Sequence, residues 1–96
     1  HTSIATHRGA KAILHTHSVW STILSEHFSP AGCIAFEGFE MQKGIQGFTS
    51  HESRLVLPIF DNSQDIPKLA TQVENWWKSN PNVACWGYLI RRHGIY

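Results

Sequence analysis

Apolar residues recur at helical spacing between Ile66 and Lys78. Ile66, Leu69, Ala70, Val73, Trp76 and Trp77 form one stripe, so this stretch predicts an amphipathic helix. Pro67 suits its first turn, the run Asp61-Asn62-Ser63-Gln64-Asp65 before it is turn and cap chemistry, and Asn80-Pro81-Asn82 ends it. A second helical stripe, Val19, Trp20, Ile23, Leu24, His27 and Phe28, follows the capping residue Ser18 and stops at Pro30 and Gly32. His1 to His7 reads as the end of a helix begun upstream and broken at Arg8-Gly9. Phe39 to Ile45 reads as a short helix weakened by Gly44 and ended by Gly47, with a polar connection over Phe48 to Ser53. Four strands are expected between these helices. Lys11 to Thr16 is nearly continuous in apolar residues, as in a sheet covered on both faces. The others are Cys33 to Phe36, Arg54 to Phe60 and Val83 to Ile90. Pro58 argues for an edge position or an irregularity in the third, and Gly87 is a weak point in the last. The order α-β-α-β-α-β-α-β predicts a layered α/β segment with helices over a sheet, and leaves the sense of strand pairing open.

Composition narrows the function classes. Ninety-six residues make one small domain with a modest core, and no run approaches the ~20 apolar residues of a membrane span. Net charge is +1 and basic residues cluster only at Arg91-Arg92, which gives no electrostatic footprint for nucleic acid. Cys33 and Cys85 lie far apart in strand-like runs. They read as free thiols of a reducing, cytoplasmic compartment rather than as a disulfide framework. Neither an initiator Met nor a signal segment is visible, and the chain reads as a segment of a larger protein.

The candidate chemistry sits at strand ends. His15-Thr16-His17 closes the apolar run Ala12-Ile13-Leu14, and residues two apart on a strand point the same way. His93 follows a second apolar run, Tyr88-Leu89-Ile90. Three imidazoles with one coordination position open describe a catalytic rather than a structural zinc site. The plain alternative is polar residues facing water, and spacing alone does not choose between them. Glu37 and Glu40 flank Gly38-Phe39 and could serve as a general acid or base, or simply as acids at a helix N-terminus. His51-Glu52 lacks the second histidine of a zinc-peptidase helix. Arg91 or Arg92 could grip an anionic group bidentately, or end a strand in solvent.

Five blocks carry a family resemblance. They are Leu14-His15-Thr16-His17-Ser18, Phe36-Glu37-Gly38-Phe39-Glu40-Met41-Gln42-Lys43-Gly44, Thr49-Ser50-His51-Glu52, the run from Val56 to Ile66, and Tyr88 to Tyr96. Together they resemble the zinc-dependent class II aldolase/adducin-like family over essentially the whole chain and in the correct order. The second and fourth blocks are similar to its dehydratase branch. The resemblance implies a three-layer α/β/α sandwich with a central, largely antiparallel sheet, of which residues 1–96 are the central to C-terminal part. It implies one zinc ion per subunit, held by His15, His17 and His93, with Glu40 as catalytic acid/base and Glu37 as the nearby alternative. It also implies dehydration of a sugar phosphate in methionine salvage, by a homotetramer. The family's phosphate-binding loop lies upstream and its C-terminal helices downstream, so no substrate-binding residue is assigned in this segment.

Two rivals follow from the same resemblance. One is a class II sugar-phosphate aldolase or epimerase, against which the Glu40 and Gln64-Asp65 blocks argue. The other is a non-catalytic, adducin-like interaction module, against which the retained histidines and Glu40 argue. A structural zinc would need four protein ligands, and neither cysteine is near the histidines in sequence.

Overall fold

Capping chemistry sets the two longer helices. The computed structural model describes residues 1–96, and its first helix, α1, spans Thr2–Arg8 and ends on Gly9 at φ 64°. Helix α2 spans Val19–His27, with the Ser18 side chain accepting from the Ser21 N–H. Helix α3 spans Ile66–Ser79, and Asp65 Oδ1 accepts from the Lys68 N–H at 3.1 Å. Two 3₁₀ turns, Ser29–Ala31 and Glu40–Gly44, precede strands. The strands are β1 Cys33–Phe36, β2 Leu55–Phe60, β3 Leu89–Ile90 and β4 Gly94–Ile95.

These strands form one mixed sheet in the order β1-β2-β3-β4. The β1/β2 and β3/β4 ladders are antiparallel and β2/β3 is parallel. The core lies between α3 and β3. Leu69 and Val73 of α3 pack with Tyr88 and Ile90, and Ile4, Phe60, Trp77 and Tyr96 close around them. The spacing of Leu69 and Val73 is one helical turn and that of Tyr88 and Ile90 is one strand repeat, so each pair shares a face. Helix α1 lies beside α3, tied by the Ser3 hydroxyl donating to Glu74 Oε1 at 2.8 Å. Helix α2 packs on β3 and β4.

Three expectations are corrected, and α2 buries a side that its spacing did not specify. Lys11 to Thr16 is extended but is no strand: only Thr16 pairs, with Ile95, and Leu14 stays 82% exposed. Its apolar content reflects side-chain preference, whereas a strand needs a neighbour for its backbone groups. The α2 stripe is not a core face. Val19, Trp20 and Ile23 are exposed, and the buried residue of that helix is Ser25, because its polar side docks on the β3–β4 turn. Strand β2 is interior, so of the two readings of Pro58, edge or irregularity, it is the edge position that is overturned. Pro58 is tolerated because the Ile59 N–H points to Gly32 on the β1 side, so by alternation the Pro58 nitrogen faces β3, where the ladder begins only at Ile59–Leu89. The run Val83 to Ile90 is a strand only at Leu89–Ile90. Before it, Val83 folds back onto the Asn80 carbonyl, and Gly87 lies so close to the Tyr96 carbonyl that a Cβ there would stand 2.6 Å from it. The chain then turns through Arg91, Arg92 and His93 into β4, a strand absent from the expected order.

Candidate metal centre

The segment carrying His15 and His17 is held beside β4 by a reciprocal pair of bonds: Thr16 N–H to the Ile95 carbonyl at 3.1 Å, and Ile95 N–H to the Thr16 carbonyl at 3.0 Å. Gly94 permits this approach, since a Cβ there would collide with the Thr16 carbonyl. His93 leaves the three-residue turn before β4 and faces the same side. Three Nε2 atoms therefore meet: His15 to His17 at 2.9 Å and His17 to His93 at 3.0 Å. All the ligand atoms of the trio lie within 4.8 Å of one another, and no cysteine or carboxylate joins them. His15 and His93 are half-buried and His17 is exposed, which leaves one side of the cluster open to solvent.

The donor set suits a cation. His15 Nδ1 faces the Ile95 carbonyl at 2.9 Å, so that nitrogen carries the proton and Nε2 keeps its lone pair. Partial burial, then the neighbouring His17 and His15, hold the His93 imidazole below the ordinary histidine value, which keeps it neutral and able to ligate. Three converging Nε2 atoms can share at most one or two N–H groups among themselves, whereas a cation satisfies every lone pair. A regular tetrahedron with Zn–N near 2.0–2.1 Å has edges of roughly 3.3 Å. The observed contacts are a few tenths of an ångström shorter, a gap that small side-chain rotations close.

The rings are braced. Tyr96 stacks on His15 with centroids 3.9 Å apart and on Tyr88 at 5.1 Å, a column that runs from the cluster into the core. Helix α2 braces the other side. The Thr22 hydroxyl donates to the His93 carbonyl at 3.2 Å, and the Ser25 hydroxyl accepts from the Arg92 N–H at 3.0 Å. The Glu26 carboxylate receives both Arg91 and Arg92. Hydrogen bonds from Arg91, then Arg92, lower Glu26 to about 2. A depressed carboxylate stabilises fully above its ordinary value of 4.5, and this contribution is lost as the pH falls toward 2.

Glu40 and Glu37 stand apart from the histidines. Glu40 is exposed on the 3₁₀ turn and pairs with Lys43 Nζ at 2.8 Å and His51 Nδ1 at 3.3 Å. Glu37 pairs with Arg54 at 3.7 Å. Arg91 and Arg92 are engaged by Glu26 rather than free for an anionic ligand, with Asp61 a further 3.6 Å neighbour of Arg91. A cavity of about 740 Å³ lies elsewhere: Ile4, Arg8, Leu14, Trp77 and Cys85 line it, and Tyr96 is the wall nearest the cluster in sequence. It brings together no converging ligand atoms, so the chemistry favours the histidine cluster. Sequence reasoning had no access to the supporting groups, the Ile95 carbonyl, Tyr96, Thr22, Ser25 and Glu26. Their partners are mostly 65 to 80 residues away, and only Tyr96, at an element end beside His93, left any local signal.

Gly94→Ala places a methyl group against the Thr16 backbone. The expected cost is about 1–3 kcal/mol in unfolding free energy, together with weaker metal binding, because Thr16 carries both His15 and His17. Thermal unfolding with and without zinc checks it.

The profile of the class II aldolase and adducin N-terminal domain matches residues 1–96. A methylthioribulose-1-phosphate dehydratase of Pseudomonas fluorescens (strain Pf0-1) is 52% identical over 85 residues, 88% of this chain and 39% of that protein. One from Marinobacter nauticus is 46% identical over 85 residues, 88% of this chain and 40% of that protein. One from Alcanivorax borkumensis is 49% identical over 86 residues, 90% of this chain and 39% of that protein. The chain thus spans about 40% of the length of these curated relatives.

Proposed function

This chain belongs to the class II aldolase and adducin N-terminal domain family, and from that premise we propose that it carries the metal centre of a methylthioribulose-1-phosphate dehydratase acting in methionine salvage. The observation that carries the reading is the convergence of the His15, His17 and His93 Nε2 atoms in a chain about half identical to dehydratases of that name. Zinc is the proposed ion, one per subunit, since three neutral imidazoles suit zinc and its neighbours. A divalent ion held there supplies Lewis acidity toward the oxygens of a ketose phosphate.

The proton work is assigned to Glu40 on the family resemblance of its block, although the carboxylate here pairs with Lys43 and His51 outside the histidine trio. Its carboxylate takes the proton from C3 or, once protonated, delivers it to the C4 hydroxyl that leaves as water. Loss of the C3 hydrogen and the C4 hydroxyl, followed by tautomerisation, gives the 2,3-diketone plus one water. The Ile95 carbonyl and the Tyr96 ring keep His15 oriented throughout.

The three-layer α/β/α arrangement with a largely antiparallel sheet is supported by two antiparallel ladders out of three and by helices docked on the sheet. The homotetramer is proposed from the family resemblance, and the exposed Val19, Trp20 and Ile23 on α2 offer an apolar face that a subunit contact could cover. A cytoplasmic setting is supported by two free cysteines. No helix is long and apolar enough to cross a membrane.

The test is a product assay on the zinc-loaded full-length protein with 5-methylthioribulose 1-phosphate. The expected product is 2,3-diketo-5-methylthiopentyl 1-phosphate. A three-carbon phosphate fragment would instead indicate an aldolase, and no turnover with zinc bound would leave another sugar phosphate or an interaction module.

A further inference from the structure

We infer that Glu26 is a positioning residue for the metal centre: it holds Arg92 in a left-handed conformation and so sets the direction of His93. The inference rests on the metal-centre reading above. Arg92 is the one non-glycine residue with positive φ, at 55°. An arginine pays for that conformation in Cβ–backbone repulsion where a glycine does not, so contacts outside the turn must hold it.

Those contacts come from one turn of α2. Arg92 Nη2 donates to Glu26 Oε1 at 2.8 Å, and its backbone N–H donates to Ser25 Oγ at 3.0 Å. Arg91 Nε donates to Glu26 Oε2 at 2.6 Å and Nη2 to Oε1 at 3.1 Å. Thr22 then takes hold of the His93 carbonyl. Glu26 is the only member that binds two consecutive turn residues by their side chains. It makes no bond to any of the three histidines, so its influence passes through the turn.

The geometry explains why this turn matters. His17 immediately precedes Ser18, the N-cap of α2, and Glu26 lies near the other end of the same helix. Helix α2 therefore acts as a spacer: one end carries His17 and the other grips the turn that carries His93. The two imidazoles meet at 3.0 Å in a structure whose turn holds Arg92 at φ 55°. Side-chain ion pairs on a surface usually matter little. Here the same carboxylate receives two guanidiniums beside a strained residue next to a ligand.

The experiment compares Glu26→Ala, Arg92→Gly and the double variant in the full-length protein. Zinc affinity is read by chelator competition, cobalt substitution by its d–d absorption, and folding by circular dichroism. Glu26→Ala is expected to weaken zinc by roughly tenfold or more, as for other groups that orient ligands, and to alter the cobalt spectrum. Arg92→Gly should stay within about threefold of the parent, and the double variant within about threefold of Arg92→Gly, because glycine adopts this φ unaided. A folded Glu26→Ala protein with parental zinc affinity overturns the inference. So does a double variant as weak as Glu26→Ala, since Glu26 would then act by some route other than the Arg92 conformation. If Glu26→Ala does not fold, Glu26→Gln in the same two backgrounds carries the comparison. A parent that binds no zinc removes the metal-centre reading itself, a result distinct from any of these.

Discussion

His93→Ala is expected to lose metal and turnover together, with zinc affinity falling by more than about 100-fold, beyond the loss seen for groups that merely support ligands. The reason is geometric. His93 Nε2 sits 3.0 Å from His17 Nε2, and no other cysteine, histidine or carboxylate lies in the cluster to replace it. His15→Ala should behave alike and should also free the Ile95 carbonyl and the face of Tyr96 that now receive its ring. The chain has seven histidines, so a control is needed to separate ligand loss from a general histidine effect. His27, an exposed residue against Phe28, provides it, and His27→Ala should keep full zinc stoichiometry. Metal content by inductively coupled plasma mass spectrometry, beside chelator competition, reads all three variants.

Glu40→Gln should separate binding from chemistry. Glutamine keeps the shape of the side chain and cannot carry the proton, so turnover should fall by roughly 10²–10⁴-fold while zinc affinity stays near the parental value. Glu40 makes no contact with the histidines and is paired with Lys43 and His51, which is why metal binding should be indifferent to it. Glu37→Gln is the companion variant. Its carboxylate faces Arg54 at 3.7 Å, and its loss should cost little turnover. If Glu37→Gln loses turnover and Glu40→Gln retains it, the acid/base role belongs one turn earlier in the chain.

His15, His17 and His93 could be singled out locally, as His-x-His at the end of an apolar run and a histidine after a second such run, but spacing alone left them open to a plain solvated reading, and only the fold brings their Nε2 atoms together. The α3 stripe was legible in its middle, where Leu69 and Val73 are buried as helical spacing put them, but not at its start, where Ile66 is exposed. Residues 11–16 were misread because apolarity reports a preference for burial and not the presence of a neighbouring strand. Helix α2 buries its polar side, which helical spacing alone did not specify. Thr22, Ser25 and Glu26 turn toward the Arg91–His93 turn, and their hydrogen bonds to it outweigh the burial of Val19, Trp20 and Ile23 within this chain. The clamp itself joins residues 65 to 71 apart, a separation over which local patterns carry no signal.

Zinc K-edge X-ray absorption on the zinc-loaded protein tests the metal centre most directly, because it reads the ligands themselves. The expected spectrum has three imidazole nitrogens at about 2.0–2.1 Å with the remaining coordination from light-atom oxygen donors. A sulfur shell near 2.3 Å, or an imidazole count other than three, would contradict a centre built on His15, His17 and His93.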